Sequence, residues 1–462
     1  MQIKEFTVRK LYGFMNKDIL FHKRISILVG INGSGKTSIL NLVNWLLTLN
    51  FEELCLIEFQ SIILKFHYKD CDYNFSCEQH ELKIVFKLTN LTQSKSYPQI
   101  DAKFSVHPSK LTKNKSLRDS IRGEYKGLKP EPREVETWSF IVNELPSPMI
   151  IGLDRNLYTQ EGSELRVQEE YSNLERNRLR EKAKNSSPID RVKSELIKNY
   201  NLYRNNVLEF YSSINRKIIL SAFDNIITDE NLSSIVGASR PTIKEIEILQ
   251  EQVKEFLREN QIIMSRKQQK HKDINEITKV DEYFKNLKNI LKDREGRTES
   301  YDLLYLINVT QFKKINDLVI EFKKYEEVTI KLYKPLEEFL VTINKFLIDS
   351  SKELYFDKRT SQLFFNIIDS KGQKIDSDRD IENLSSGEKQ ILILLTYIKY
   401  NLNLNLFIID EPELSLHPKW QAEFLGAVEK LMPKDAQLIL ATHSPEIVGE
   451  NEEYCEVLLP YN

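Results

Sequence analysis

Apolar and polar positions alternate along some stretches of the chain and step by three and four along others, and the change of rhythm divides it. Residues 3–8 alternate with a period of two, as a half-buried strand does, whereas residues 25–29 form an unbroken, largely β-branched apolar run suited to a strand covered on both faces. Period two returns over residues 61–91, through Leu64, Phe66 and Tyr68, then Tyr73, Phe75 and Cys77, then Leu82, Ile84, Phe86 and Leu88, and predicts an antiparallel β-subdomain. Residues 93–133, rich in Lys, Ser and Pro, lose the rhythm and read as a mobile loop. Residues 149–153 are a short buried strand followed by Asp154-Arg155-Asn156, which either faces the ligand edge of an α/β sheet or forms a solvated turn.

From residue 160 to about residue 350 the rhythm is helical. Ile246, Leu249, Val253, Phe256, Asn260 and Ile263 trace a coiled-coil-like seam. Ile315, Val319 and Phe322, then Leu336, Phe339, Ile343 and Phe346, trace a second amphipathic run, and breaks at Pro188, Pro241 and Gly296 predict several helices rather than one rod. Strands resume at residues 354–356 and 363–368, with Lys371-Gly372 as the turn, and a wholly apolar run, residues 406–409, and another buried strand, residues 437–441, lie near the end.

The segments just past the buried runs are polar and specific. After residues 25–29 comes Gly30-Ile31-Asn32-Gly33-Ser34-Gly35-Lys36-Thr37, then Ser38 and a helix with Ile39, Leu40, Val43, Leu46 and Leu47 on its buried side. A glycine-rich turn between a strand and a helix lets backbone N–H groups curl around phosphates, with the partial positive charge of the helix terminus behind them. Asn32, Gly33, Ser34, Gly35 and Ser38 are therefore expected at the phosphates, Lys36 at the β/γ-oxygens and Thr37 on Mg²⁺. Leu384-Ser385-Ser386-Gly387-Glu388-Lys389-Gln390 precedes a helix and is a second turn suited to an anion. The run at 406–409 ends in Asp410-Glu411, which suits Asp410 to Mg²⁺ and Glu411 to deprotonating water; the run at 437–441 delivers Thr442-His443-Ser444-Pro445. Taken singly, two carboxylates after a strand also serve as a helix cap, and a lone histidine is commonly structural.

These elements, in this order, resemble the ATP-binding-cassette ATPases and in particular their SMC-like branch. The resemblance implies an α/β fold: an ABC-type P-loop ATPase head with an antiparallel β-subdomain and a large helical or coiled-coil insertion. The expected division is 1–159 for the N-terminal half of the head, 160–350 for the insertion and 351–462 for the C-terminal half. It also implies ATP and Mg²⁺ as cofactors, Glu411 and His443 as catalytic residues, and Thr37 with Asp410 on the metal. Ser385, Ser386 and Gly387 would cap the nucleotide of a second copy, giving a head-to-tail dimer or higher homo-oligomer, with Ser415-Leu416-His417 as a dimer-contact loop. Ser386 departs from the glycine usual in SMC proteins. The insertion is too short and too broken for chromosome-scale bridging, and the layout is similar to compact ATPases of bacterial anti-phage systems such as AriA of PARIS and PtuA of Septu. That likeness implies a sensor or scaffold controlling a separate effector, typically a nuclease, with a nucleic acid or phage protein as trigger. The alternative is an SMC-like repair or recombination ATPase that grips DNA itself.

Composition narrows the field further. Lys and Arg total 66 against 68 Asp and Glu, a net charge of -2, so no global basic bias favours nucleic acid. Basic clusters occur locally, at Arg176, Arg178, Arg180, Lys182 and Lys184 and at Arg266, Lys267, Lys270, His271 and Lys272, and each is either a solvated helical face or a contact surface. Four cysteines without CxxC spacing, and no apolar run near the length of a membrane span, predict a reduced, cytoplasmic protein with no membrane partner. His67, Cys71, Cys77 and His80 invite a zinc reading, but hairpin alternation sends some of them to opposite faces, so no metal framework is expected there. Tyr12 or Phe14 would stack on adenine or simply pack, and Gln60 is placed to be a lid glutamine.

Overall fold

The computed structural model describes residues 1–81, 83–103, 106, 108, 115–125, 128–151, 157–158, 187–221, 242–260, 270–292, 299–400 and 405–460. Contacts divide the chain into two units, one made of Met1–Lys198 with Glu338–Asn462 and the other of Asn199–Glu337.

In the first unit, β1 (Gln2–Leu11) and β2 (Met15–Leu20) lead into β3 (Ile25–Val29), α1 (Lys36–Leu47) and the single turn α2 (Phe51–Leu54). Strands β4 (Ser61–Tyr68), β5 (Cys71–His80), β6 (Lys83–Asn90), β7 (Lys95–Ser96) and β8 (Ile100–Lys103) extend β1 and β2 into a seven-stranded antiparallel sheet. Its order is β2-β1-β4-β5-β6-β7, with β8 also on β6. The period-two pattern explains the packing: Ile62, Leu64, Phe66, Phe75, Cys77, Phe86 and Leu88 all point inward and join α1 in one core.

The 93–133 stretch corrects the loop expectation. It contains β7, β8 and the helix α3 (Lys115–Tyr125), followed by α4 (Val135–Ser139). Ile100, Ala102, Ile121 and Tyr125 are buried in the main core, and the Tyr125 hydroxyl donates to Lys103 O at 2.8 Å. A few widely spaced apolar residues suffice to dock a segment whose other side chains are polar, and a windowed reading averages them away.

Among the described residues, strands β9 (Met149–Ile151) and β10 (Leu157–Tyr158) precede four helices: α5 (Pro188–Ser221), α6 (Ile243–Asn260), α7 (Lys270–Lys292) and α8 (Glu299–Leu347). In the second unit, Ile246 and Leu249 of α6 pack with Phe284 and Leu287 of α7 and Val319 of α8, the buried part of the seam seen in the sequence. The side chains of Phe256, Asn260 and Ile263 lie outside the described residues. A row of rings also runs between α5 and α8, through Tyr203 with Tyr333 at 5.2 Å and Phe210 with Tyr325 at 6.0 Å.

Back in the first unit come the three antiparallel strands β11 (Lys352–Phe356), β12 (Leu363–Ile368) and β13 (Lys374–Asp380), then α9 (Ser386–Tyr400) and β14 (Leu406–Asp410). The chain then forms α10 (Pro418–Leu431), β15 (Gln437–Thr442), the turn α11 (Pro445–Val448) and β16 (Cys455–Val457). The second sheet has the order β10-β9-β14-β15-β3-β16, parallel except for β10. Every residue of β14 and β15 is buried, as expected for central parallel strands covered on both faces. Among the described residues no helix is long and apolar enough to cross a membrane.

Candidate active site

Register decides which side chains meet. β3 lies beside β15, and β15 beside β14, with Val29 opposite Thr442 and Asp410 opposite Ala441. The segments that leave the carboxyl ends of these strands, at Gly30, Glu411 and His443, therefore emerge along one edge, the place where parallel α/β sheets hold ligands.

The glycine turn is tight. Gly35 sits at φ 94, a conformation strained for a residue with a Cβ, and a Cβ there would press on Met15 Sδ at 2.7 Å, so glycine is favoured. The helix begins at Lys36 rather than Ser38, so Lys36 and Thr37 occupy its first turn. Lys36 is only 4% exposed; its Nζ donates to Gly30 O at 2.8 Å and lies 2.7 Å from His443 Nε2. Burial lowers its pKa, opposed by the charges of Glu411, Asp410 and Glu413. Asn32, Gly33 and Thr37 are exposed, Ser38 and Gly35 are partly covered, and Ser34 is buried with no hydrogen-bond partner for its hydroxyl.

Asp410 is 8% exposed, and its carboxyl is pushed above the usual range, chiefly by burial, with Glu411 and Glu413 adding to the effect and the Thr37 hydroxyl and Lys36 opposing it. Its Oδ1 has no hydrogen-bond partner. A buried carboxylate oxygen with an open lone pair, next to a threonine hydroxyl, is the donor set a hard divalent cation takes. Glu411 adopts φ 48, a left-handed conformation that is strained for a residue with a Cβ, and its N–H donates to Ala441 O at 2.9 Å. Its Oε1 is 3.7 Å from His443 Nε2. Lys36, Thr37, Asp410, Glu411 and His443, separated by up to about four hundred residues in sequence, thus form one constellation.

The Leu384–Gln390 turn is built differently. Ser385 caps α9 in a reciprocal box: its N–H donates to Glu388 Oε2 at 2.7 Å, and Glu388 N–H returns to its hydroxyl at 3.4 Å. Glu388, 2% exposed, also binds Lys352 Nζ at 2.7 Å and the Ser350 hydroxyl at 2.6 Å. Ser385 and Ser386 remain exposed. Gly387 packs so closely that a Cβ would sit 2.5 Å from Ser415 O. Ser415 is itself left-handed at φ 66, and His417 caps α10 through Nδ1, which accepts from Lys419 N at 3.3 Å.

With this geometry in view, a model described as AAA ATPase domain, AAA_15, matches residues 1–448. The chain belongs to this family. Its relatives include a retron Vc95 probable ATPase of Vibrio cholerae, 26% identical over 36% of this chain and 41% of that protein. The Septu protein PtuA of Bacillus thuringiensis is 49% identical over 9% of this chain and 11% of PtuA. The AAA_15 chain thus spans less than half the length of these relatives. Among solved structures, the Smc head domain with an extended coiled coil bound to the C-terminal domain of ScpA, from Pyrococcus furiosus, aligns over 97% of this chain and 91% of that one, at 14% identity and a TM-score of 0.30.

Other candidates in the AAA_15 chain fall elsewhere. Tyr12 is 45% exposed and its hydroxyl lies 2.9 Å from Ser38 Oγ, beside the glycine turn, and Phe14 is 65% exposed. Gln60 is exposed at the start of β4, its backbone N–H bonded to Arg9 O. His67 pairs with Asp72 near Cys71 at one end of the β4–β5 hairpin, whereas Cys77 is buried opposite Ile62 and His80 lies near Glu78 towards the other end. Among the described residues no group of three or more His, Cys, Asp or Glu side chains is arranged to hold a metal. Asp154-Arg155-Asn156, the basic cluster at 176–184 and the side chains of the cluster at 266–272 lie outside the described residues.

One residue named in the second turn stands at the sheet edge instead, and one polar residue of the site escaped the reading of the sequence. Gln390 is buried and donates from Nε2 to Pro412 O at 3.3 Å, beside a cavity of about 200 Å³ that Asp410 and Glu411 also line. Glu413 accepts from the backbone N–H of His443 at 2.6 Å. The signal for Glu413, a third carboxylate three residues beyond Asp410, is present in the sequence but is indistinguishable from an ordinary surface glutamate until the fold places it.

Proposed function

We propose that this AAA_15 chain binds ATP with Mg²⁺ and hydrolyses it between two copies of itself, as the sensor or scaffold subunit of an anti-phage defence complex that controls a separate effector, a nuclease. The single observation that carries the hydrolytic reading is the constellation at the sheet edge, with His443 Nε2 2.7 Å from Lys36 Nζ and 3.7 Å from Glu411 Oε1. The Thr37 hydroxyl and the Asp410 carboxylate would hold Mg²⁺; when bound, the ion neutralises phosphate charge. Lys36 meets the β/γ-oxygens, and the N–H groups of Asn32 to Ser38 line the phosphates. Glu411 accepts the proton of the attacking water, and His443 hydrogen-bonds the γ-phosphate and that water.

Ser385, Ser386 and Gly387 would complete the site of the opposite copy. Support comes from the exposure of both serines and from the rigid box beneath them, which presents the turn while keeping Glu388 inside. The Septu relative supports the defence setting, since the layout of this chain is similar to that of the anti-phage ATPase PtuA, and the retron relative, named a probable ATPase, supports the activity.

Mixing two broken proteins tests the shared site. Lys36→Ala and Ser385→Arg should each abolish phosphate release alone. An equal mixture should regain about a quarter of wild-type turnover, because half the dimers are mixed and each of those carries one intact site. Absence of any recovery, with both variants folded and dimeric, would refute the shared arrangement. Effector control is checked by co-expressing the chain with the reading frame beside its gene: a nuclease that co-purifies and changes activity with ATP is expected, and a freely acting neighbour would overturn it.

A further inference from the structure

Immediately after Asp410, the left-handed turn at Glu411 reverses the chain, and Leu414 N–H closes the reversal on Glu411 O at 3.3 Å. The reversal brings Glu413 back over the end of β15, where its Oε1 takes the His443 N–H at 2.6 Å. Glu413 is itself anchored, since its carbonyl accepts from Leu416 N–H at 3.0 Å and from Gln421 Nε2 at 3.4 Å. Gln421 Oε1 in turn accepts from the Ser444 hydroxyl at 2.6 Å, so residues 443 and 444 are gripped from two directions. The second carboxylate oxygen of Glu413 is buried without a hydrogen-bond partner. Buried polar atoms are rarely left so, and a catalytic role is one of the reasons that keep them open.

We infer that Glu413 is a positioning residue for hydrolysis: by fixing the main chain at His443 it sets where the imidazole stands between Lys36 and Glu411. The inference rests on the ATPase reading above. A charge-assisted bond to a backbone N–H is shorter and stronger than a neutral one, which suits a carboxylate to holding a strand end that lacks a ladder partner at that point. The imidazole has two neighbours to satisfy, at 2.7 and 3.7 Å, and a displacement of about 1 Å at such a centre lowers the rate on the order of 10²-fold. Glu413 touches neither reacting atom in this scheme; it acts through His443.

The test compares Glu413→Ala, Glu413→Gln and Glu413→Asp in the full chain, with steady-state ATP turnover, equilibrium binding of a fluorescent ATP analogue and thermal unfolding read on each. Glu413→Ala should lower kcat about 30- to 100-fold while KM and analogue affinity change by less than about 3-fold. Glu413→Gln keeps an acceptor at the same reach and should recover to within about 5-fold of wild type; Glu413→Asp, one methylene shorter, should not. Wild-type kcat in Glu413→Ala overturns the inference and leaves the ATPase reading standing. So does a loss in Glu413→Gln equal to that in Glu413→Ala. A wild-type chain that binds the analogue and never releases phosphate overturns the ATPase reading and this inference with it.

Discussion

The sheet edge and the turn before α9 handle charge in opposite ways. At the edge, Asp410, Glu411 and Glu413 crowd around one buried lysine, Asp410 is driven towards its protonated form, and Glu411 sits in a strained backbone conformation. At the turn, burial would also raise the pKa of Glu388, but bonds from Lys352, Ser350 and the Ser385 N–H outweigh it and hold the carboxyl below its usual value. Repulsion and open lone pairs at the first region fit the proposed binding of Mg²⁺ and phosphate there. A fully bonded Glu388 carboxylate at the second fits the proposed role of presenting a surface without moving. The contrast is the one expected if the edge is an active site that retains unfavourable contacts for function.

The sharpest way to break this comparison is Glu411→Gln. Loss of the general base should lower kcat about 10³-fold while ATP remains bound and the paired form accumulates, read by phosphate release and light scattering. Wild-type turnover in that variant would mean that the base is misassigned. Glu388→Gln should do the reverse, lowering unfolding free energy by about 3 kcal/mol in urea, because one partner of a buried ion pair is removed and the capping box weakens with it. A change below about 0.5 kcal/mol would place Glu388 with ordinary surface charges.

A smaller effect of opposite sign is expected at Asp410. Asp410→Asn removes a carboxylate that is raised in the folded state, so at neutral pH it should raise the melting temperature by about 1–2 °C while abolishing Mg²⁺-dependent nucleotide binding. A fall in melting temperature would show that the crowding is already compensated. The smallest expected effect is in pH dependence, and its sign separates the two regions. A depressed pKa at Glu388 stabilises the fold above the unfolded value near 4.5, and this contribution is lost as pH falls through the lower, folded value. A raised pKa at Asp410 works the other way: the fold is penalised above its folded value, and the penalty is relieved as pH falls through that value towards 3.8. Acid unfolding should therefore be less steep in Glu388→Gln, and slightly steeper in Asp410→Asn, than in the wild-type chain.

Much of this organisation is legible in the sequence because it is local. The glycine-rich turn, the paired carboxylates and the histidine each follow a buried apolar run, and strand, turn and helix signals lie within about fifteen residues of one another. The antiparallel subdomain announces itself through an alternation that only a half-buried sheet needs. The 93–133 stretch defeats the same method, because Ile121 and Tyr125 dock a polar helix through a few contacts whose partners lie elsewhere in the chain.

Sequence alone therefore determined the glycine-rich turn, the paired carboxylates and the histidine as candidates, and the rhythm of the elements that bear them, since both depend on side-chain type and short-range spacing. Tertiary structure alone decided that β15 lies between β3 and β14, that Glu413 reaches His443 thirty positions away, and that Lys352 and Ser350 pin Glu388 beneath an exposed serine turn. Those outcomes depend on strand order and register, and on burial that strengthens some charges and strands others. They are properties of the packed whole that no window of sequence contains.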